Sequence, residues 1–279
     1  MRFTKMHGAG NDFVLINNMV EHVPEEKMSA VAKHVCTRRL SVGADGVMFV
    51  DKAVAGGDYR MRFYNADGSL GEMCGNGARC IARYGYENGL AGEVQKIETT
   101  AGLVTGWRIN KRLYKVRLND PSIMDVHRTV TVDGRTFPCG YVELGNPGLP
   151  HAIVPFDELD DWKKDDLREL GRKMRYYKDF PKGANVTFCK AVGKDDFKAI
   201  TFERGVEDFT LACGTGCGST ASVMTLLGKA TGENVHIAMP GGDLYVTLTV
   251  TGNTTHDIFL TGPTNIVCEG ELTDEDLIL

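Results

Sequence analysis

Two cysteines stand out, each followed at once by glycines and a helical run: Cys74-Gly75-Asn76-Gly77-Ala78-Arg79-Cys80 and Cys213-Gly214-Thr215-Gly216-Cys217-Gly218. A thiol where a helix begins lies beside N–H groups that have no partner within the helix, at the positive end of its dipole. Those groups favour the thiolate and draw the expected pKa below ~8.5, so that the sulfur can act as a base near neutral pH. The glycines open the first-turn N–H groups to a carboxylate. Two such sulfurs on opposite faces of one carbon suit a stereochemical inversion, in which one removes the α-proton and the other delivers a proton to the far face. Charge gathering on the carboxylate would be met by both helix ends.

The motifs sit inside a longer repeat. Phe63-Tyr64-Asn65 begins 11 residues before Cys74, and Phe202-Glu203-Arg204 begins 11 before Cys213. Gly43-Ala44-Asp45-Gly46 is answered by Gly183-Ala184-Asn185-Val186 at nearly the same offset. The chain therefore reads as a duplicated unit whose copies each supply one thiol.

The elements that must carry these residues follow from periodicity. Phe3–Met6 and Phe13–Ile16 read as strands joined through Gly8-Ala9-Gly10-Asn11-Asp12. That segment lacks the third glycine of a dinucleotide fingerprint and leads into a strand, so a hairpin is expected. A helix over Pro24–Cys36, strands at Val47–Val50 and Met61–Tyr64, and a helix from Cys74 to Asn88-Gly89 come next. Three strands fill Lys96 to Leu118. Beyond Asp120-Pro121-Ser122 the plan repeats: strands near Val130 and at Tyr141–Leu144, a charged helix from Leu159 to Met174, strands at Val186–Phe188 and Phe197–Phe202, a helix from Gly214 to Gly228, and strands from Val235 to Leu260. One helix in each half is apolar nearly all round and must be enclosed. The expected fold is α+β, with two similar domains related by pseudo-symmetry. Each is a curled, mostly antiparallel sheet around a central helix, and the active site lies in the cleft between them. The domains are expected at 1–121, with 267–279 crossing back, and at 122–266.

With 279 residues, there is length for two ordinary domains. A net charge of -5 with mixed signs offers no basic patch for nucleic acid or an anionic membrane. No apolar run reaches the ~18–20 residues of a membrane span, and Met1–His7 lacks the apolar region of a secretory leader. The 8 cysteines are expected as free thiols of a cytoplasmic protein, with Cys36, Cys80, Cys139, Cys189 and Cys268 buried. Zinc is disfavoured by the CxxxxxC and CxxxC spacings, and pyridoxal chemistry by the absence of lysine from either motif.

Asn11-Asp12-Phe13, Phe63-Tyr64-Asn65-Ala66-Asp67-Gly68-Ser69, Cys74-Gly75-Asn76-Gly77-Ala78-Arg79-Cys80, Glu203-Arg204-Gly205 and Ala212-Cys213-Gly214-Thr215-Gly216 together resemble the diaminopimelate epimerases. The likeness runs in order along the whole chain to Thr261-Gly262-Pro263. It implies a cofactor-independent isomerase that interconverts LL- and meso-diaminopimelate for lysine and cell-wall synthesis, with a homodimer as the family expectation. It also implies Cys74 and Cys213 as base and acid. Gly75, Asn76, Gly214 and Thr215 would hold the reacting end of the substrate. Asn11, Asn65, Asn185, Glu203 and Arg204 would hold its amino and carboxylate groups, and Asn146 and His151 would line the site. Glu203 and His151 are the expected tuning residues. An arginine fork against a distal carboxylate fits a substrate with two charged ends.

Three positions depart from the family pattern. Gly148-Leu149-Pro150 splits Gly145-Asn146-Pro147 from His151, where relatives have Gly-Asn-Pro-His. Cys217-Gly218 stands where alanine-like residues are commoner, and Gly46 stands where some relatives carry glutamine. The split segment keeps a rival in view, a racemase of another amino acid such as histidine on the same scaffold. A rival of another class is a non-catalytic protein that clamps a small amino acid.

Overall fold

The computed structural model describes residues 1–71, 74–273, 275 and 277. Positions 274, 276, 278 and 279 of the expected 267–279 segment thus lie outside the described residues. The chain divides into two compact units, Met1–Val116 with Gly262–Leu279, and Arg117–Thr261.

In the first unit β1 (Arg2–Gly8) and β2 (Asn11–Asn17) form a hairpin. Its two turn residues, Ala9 and Gly10, both have positive φ (53° and 87°), as a two-residue turn of that hand requires. A short α1 (Asn18–Glu21) leads to α2 (Glu25–Cys36), which Pro24 precedes. The acids Glu25 and Glu26 in its first turn and the bases Lys33 and His34 in its last complement the helix dipole. Next come β3 (Gly46–Lys52), β4 (Tyr59–Asn65), α3 (Gly75–Glu87), β5 (Val94–Thr99), β6 (Gly102–Arg108) and β7 (Leu113–Arg117). β2 and β3 run parallel, as do β4 and β5; the pairs β3–β4, β5–β6 and β6–β7 are antiparallel.

The second unit repeats this plan. It contains β8 (Pro121–Val132), β9 (Arg135–Leu144), β10 (Leu149–Pro155), α4 (Lys164–Arg175), β11 (Asn185–Gly193), β12 (Asp196–Phe202), β13 (Phe209–Thr210), α5 (Gly214–Leu226), β14 (Val235–Met239), β15 (Gly242–Thr251) and β16 (Thr254–Pro263). The antiparallel pair β9–β10 corresponds to β1–β2, the parallel pair β10–β11 to β2–β3, and the parallel pair β12–β14 to β4–β5. The strand β17 (Asn265–Glu271) returns to the first unit and pairs antiparallel with β1.

Each unit is α+β, with its sheet curled about one helix. α3 packs on β1, β2 and β6, and α5 packs on β9, β10, β11 and β15. Both helices are buried over most of their length. Burying a side chain such as Ile81 or Val223 contributes about 1.5–3 kcal/mol. Two hydroxyls of α5 are satisfied locally: Thr220 and Ser222 donate to the carbonyls of Gly216 and Gly218 at 2.8 and 2.9 Å. α2 covers the opposite sheet face of its unit through Met28, Val31 and Val35. α4 does the same in the other unit through Leu167, Leu170 and Met174.

Several local expectations are corrected. No element is assigned to Leu149–Pro155 from the sequence, yet it forms the strand β10, with Pro150 and Pro155 near its two ends. The charged helix starts at Lys164, not Leu159; Leu159 and Asp161 donate backbone bonds in preceding turns, and Leu159 is a core residue. Pro121, expected at the domain boundary, opens the long strand β8. The division between units falls before it, since Leu118 donates to the Ile258 carbonyl within the second unit. Cys268 is exposed, on the strand β17 that pairs with β1.

Candidate active site

Two half-sites are described, one in each unit. In the first, Cys74 is the N-cap residue of α3, with φ -109° and ψ 122°, and is half-buried. Gly75 and Asn76 fill the buried first turn. Asn11, at the start of β2, accepts from Cys74 Sγ at 3.5 Å and from Asn76 Nδ2 at 3.4 Å. Asn65, the last residue of β4, stands opposite Gly46 and donates to Ser69 Oγ at 3.0 Å. The structure thus brings Asn11, Cys74 and Asn76 into direct contact, whereas Asn65 is engaged in its own turn.

In the second unit Cys213 is the N-cap residue of α5, and its sulfur accepts from the Gly216 N–H at 3.4 Å. Thr215 Oγ1 lies 3.6 Å from the same sulfur, and Gly214 is buried beside it. Glu203 accepts from Thr210 Oγ1 at 2.6 Å. Asn185 is buried, and its Oδ1 accepts from the Arg204 N–H at 2.7 Å. The exposed Arg204 guanidinium reaches the Lys182 carbonyl at 3.2 Å. His151, on β10, is in register with Asn185 on β11. Asn146 is exposed in the β9–β10 turn, ahead of a cis bond to Pro147, and no bond joins it to His151.

The thiol at Cys213 departs from the sequence expectation. Burial pushes its pKa well above the ordinary thiol value, and the Glu203 carboxylate pushes the same way. The Thr215 and Gly216 donors oppose them without prevailing. A helix N-terminus favours the thiolate, but dehydration and a nearby anion outweigh it here. Cys36, Cys80, Cys139 and Cys189 are inert thiols, each pushed by burial to about 12.

The glycines have a packing role that sequence alone did not reveal. A Cβ on Gly216 would meet the hydroxyls of Thr187 and Thr201 at 3.1 Å, and one on Gly77 would fall 2.5 Å from Met48 Cε. Both missing side chains let the helix start close to its sheet. A Cβ on Gly46 would fall 2.4 Å from the Phe63 ring and 2.7 Å from the Tyr64 carbonyl oxygen. This chain has no room there for the side chain that some relatives carry.

His151 is completely buried, and neither ring nitrogen has a hydrogen-bond partner among the described residues. A buried polar group left open calls for an explanation, and a ligand is one. Burial pushes its pKa down to about 3, with the positive charge of Arg204 adding to the effect. The folded state therefore binds the proton far more weakly than the unfolded chain, whose histidine titrates near ~6.5. Stability from this group is complete above pH ~6.5. It falls as pH drops toward about 3, by up to about 1.4 kcal/mol per pH unit. Urea titrations at several pH values in that range should show a shallower pH dependence for His151→Gln than for the parent. Parallel curves would remove His151 as the cause.

Among the described residues no three of His, Cys, Asp and Glu gather as a metal site, and no helix is long and apolar enough to cross a membrane. The fold and the paired cysteine N-caps define a duplicated α+β class with one thiol per half. The family model for diaminopimelate epimerase matches residues 3–123 and 144–267. The stretch between the two matched segments lies in the β8–β9 hairpin. The diaminopimelate epimerase of Aquifex aeolicus is 38% identical, over 99% of both chains. That of Archaeoglobus fulgidus is 40% identical, over 99% of this chain and 97% of its own. This chain belongs to the diaminopimelate epimerase family. A crystal structure described as a probable proline racemase from Agrobacterium radiobacter K84 superposes with a TM-score of 0.70. It covers 98% of this chain and 92% of its own at 15% identity, a likeness of fold alone.

Proposed function

We propose that this protein inverts the α-carbon of LL-diaminopimelate to give meso-diaminopimelate, without an added cofactor, using Cys74 and Cys213 as the acid–base pair. The reading rests on family membership along the full chain, together with a cysteine N-cap on the buried helix of each unit. It is the isomerase activity of the family. The mechanism requires both sulfurs to serve opposite faces of one carbon. Backbone N–H groups of Gly75, Asn76, Gly214 and Thr215 would receive the α-carboxylate, where negative charge grows as the proton leaves. Glu203 is the anion whose charge raises the Cys213 thiol, which supports the tuning role expected of it. Asn65, Asn185 and Arg204 would hold the distal end. His151, neutral and open at both nitrogens, would face the substrate as a polar wall. The reaction belongs in the cytoplasm, with a small amino acid as the partner and neither nucleic acid nor membrane involved.

The test is incubation with LL-diaminopimelate in D₂O, followed by NMR. The meso isomer should form with deuterium at the inverted carbon. A preference for an amino acid with a single carboxylate, histidine included, would overturn the substrate assignment. Binding without exchange for every amino acid tried would instead mark a binding protein.

A further inference from the structure

Asn11 sits between groups that leave its amide one orientation. Its Nδ2 donates to Asp45 Oδ2 at 2.7 Å, and a carboxylate can only accept. Its Oδ1 is thereby turned toward Asn76 Nδ2 at 3.4 Å and Cys74 Sγ at 3.5 Å. Asn76 is fixed from the other side, because its Oδ1 accepts from Arg79 Nη2 at 2.8 Å and a guanidinium can only donate. Arg79 is fully buried, and its Nη1 donates to the Gly75 carbonyl at 3.2 Å. A cation at one end and an anion at the other thus polarise two amides in series. Asp45 is itself held: it accepts from the Asp12 N–H at 3.2 Å and pairs with Arg38 at 3.1 Å. Asp12 in turn bridges Lys5 and Arg38, each at 2.7 Å.

We propose that Asp45 and Arg79 are positioning residues that hold Cys74 as a proton-bearing thiol, by keeping the carbonyl oxygen of Asn11, and not its amide nitrogen, against the sulfur. An S–H donates to that oxygen, whereas a thiolate would face its lone pairs. The partner at Cys213 is of the opposite kind, since the Gly216 N–H donates to that sulfur. Among the described residues, the charged and titratable groups around the Cys74 network include Arg79, Cys80 and Arg83 on α3, Lys5 and His7 on β1, Asp12 on β2, Asp45 ahead of β3, Cys36 on α2, Arg38 beyond α2 and Arg112 ahead of β7. The proposal rests on Cys74 being an acid–base group, but its test needs no substrate.

In a Cys213→Ala background, alkylation of Cys74 by iodoacetamide is followed by mass spectrometry between about pH 6 and 10. In Asp45→Ala the amide of Asn11 is free to turn its N–H₂ to the sulfur. The pH midpoint should then fall and the rate near neutral pH should rise about tenfold. Asp45→Asn keeps an oxygen that accepts from Asn11, so its midpoint should fall less. Equal falls in both variants that vanish in ~1 M salt would be loss of charge alone and would overturn the proposal. An unchanged midpoint with a higher plateau, which reports only easier access to the sulfur, would overturn it as well. If the midpoints move as expected while no amino acid is epimerised, the proposal stands and the functional reading fails; unmoved midpoints with intact epimerisation give the reverse.

Discussion

Cys213→Ser and Cys74→Ser should each lower epimerisation by about 10²–10⁴-fold, the range that one positioned acid–base group contributes. Serine is a favoured N-cap residue, so the starts of α3 and α5 are retained, and the loss reports chemistry and not unfolding. A hydroxyl does not ionise near neutral pH, so it cannot take the α-proton, but it still offers a hydrogen bond. Each variant should therefore keep some α-proton exchange from the one diaminopimelate isomer whose proton faces the surviving cysteine. The measurement pairs turnover with deuterium uptake from each isomer separately. Full turnover in either variant would end the two-thiol scheme, and exchange surviving equally from both isomers would mean that the sulfurs do not serve opposite faces.

Arg204→Ala should raise KM for diaminopimelate by about 10–100-fold, which corresponds to one charge-assisted contact of about 1.5–3 kcal/mol. The effect should fall mainly on KM, because the distal carboxylate is bound alike in the ground and transition states. The guanidinium is exposed and, among the described residues, spends one hydrogen bond on the Lys182 carbonyl, so it has donors to offer a ligand. Its backbone is tied through the Asn185 side chain, and truncating the side chain leaves that bond intact. Steady-state kinetics with diaminopimelate decide the matter; an unchanged KM would put Arg204 outside the pocket. Arg204→Lys should recover only part of the loss, since an ammonium cannot pair bidentately with a carboxylate.

Much of the candidate site is legible in the sequence because its signals are local. A cysteine, two glycines and an apolar run state where a helix begins, and stating it twice at matched offsets reveals the duplication. Asn11, Asn65, Asn185, Glu203 and Arg204 are candidates through family likeness alone, since an asparagine in a turn needs no function. Asp45 lies in the repeated turn and Arg79 in the first cysteine motif, yet neither position carries a role that the sequence states, because the proposed effect on Cys74 passes through two amides whose orientation no sequence gives.

What the amino-acid order determined by itself was the alternation of strands and helices, the two enclosed helices and the cysteine at the head of each. These depend on periodicity and on neighbours a few residues apart. What only the tertiary structure decided was the state of those cysteines. Cys213 is buried beside Glu203 and loses the acidity that its helix position promised, and Cys74 meets an oxygen from a residue 63 positions away. Dehydration and charge act through space, so a thiol's environment is set by whichever strands the fold brings beside it, not by the residues that flank it in the chain.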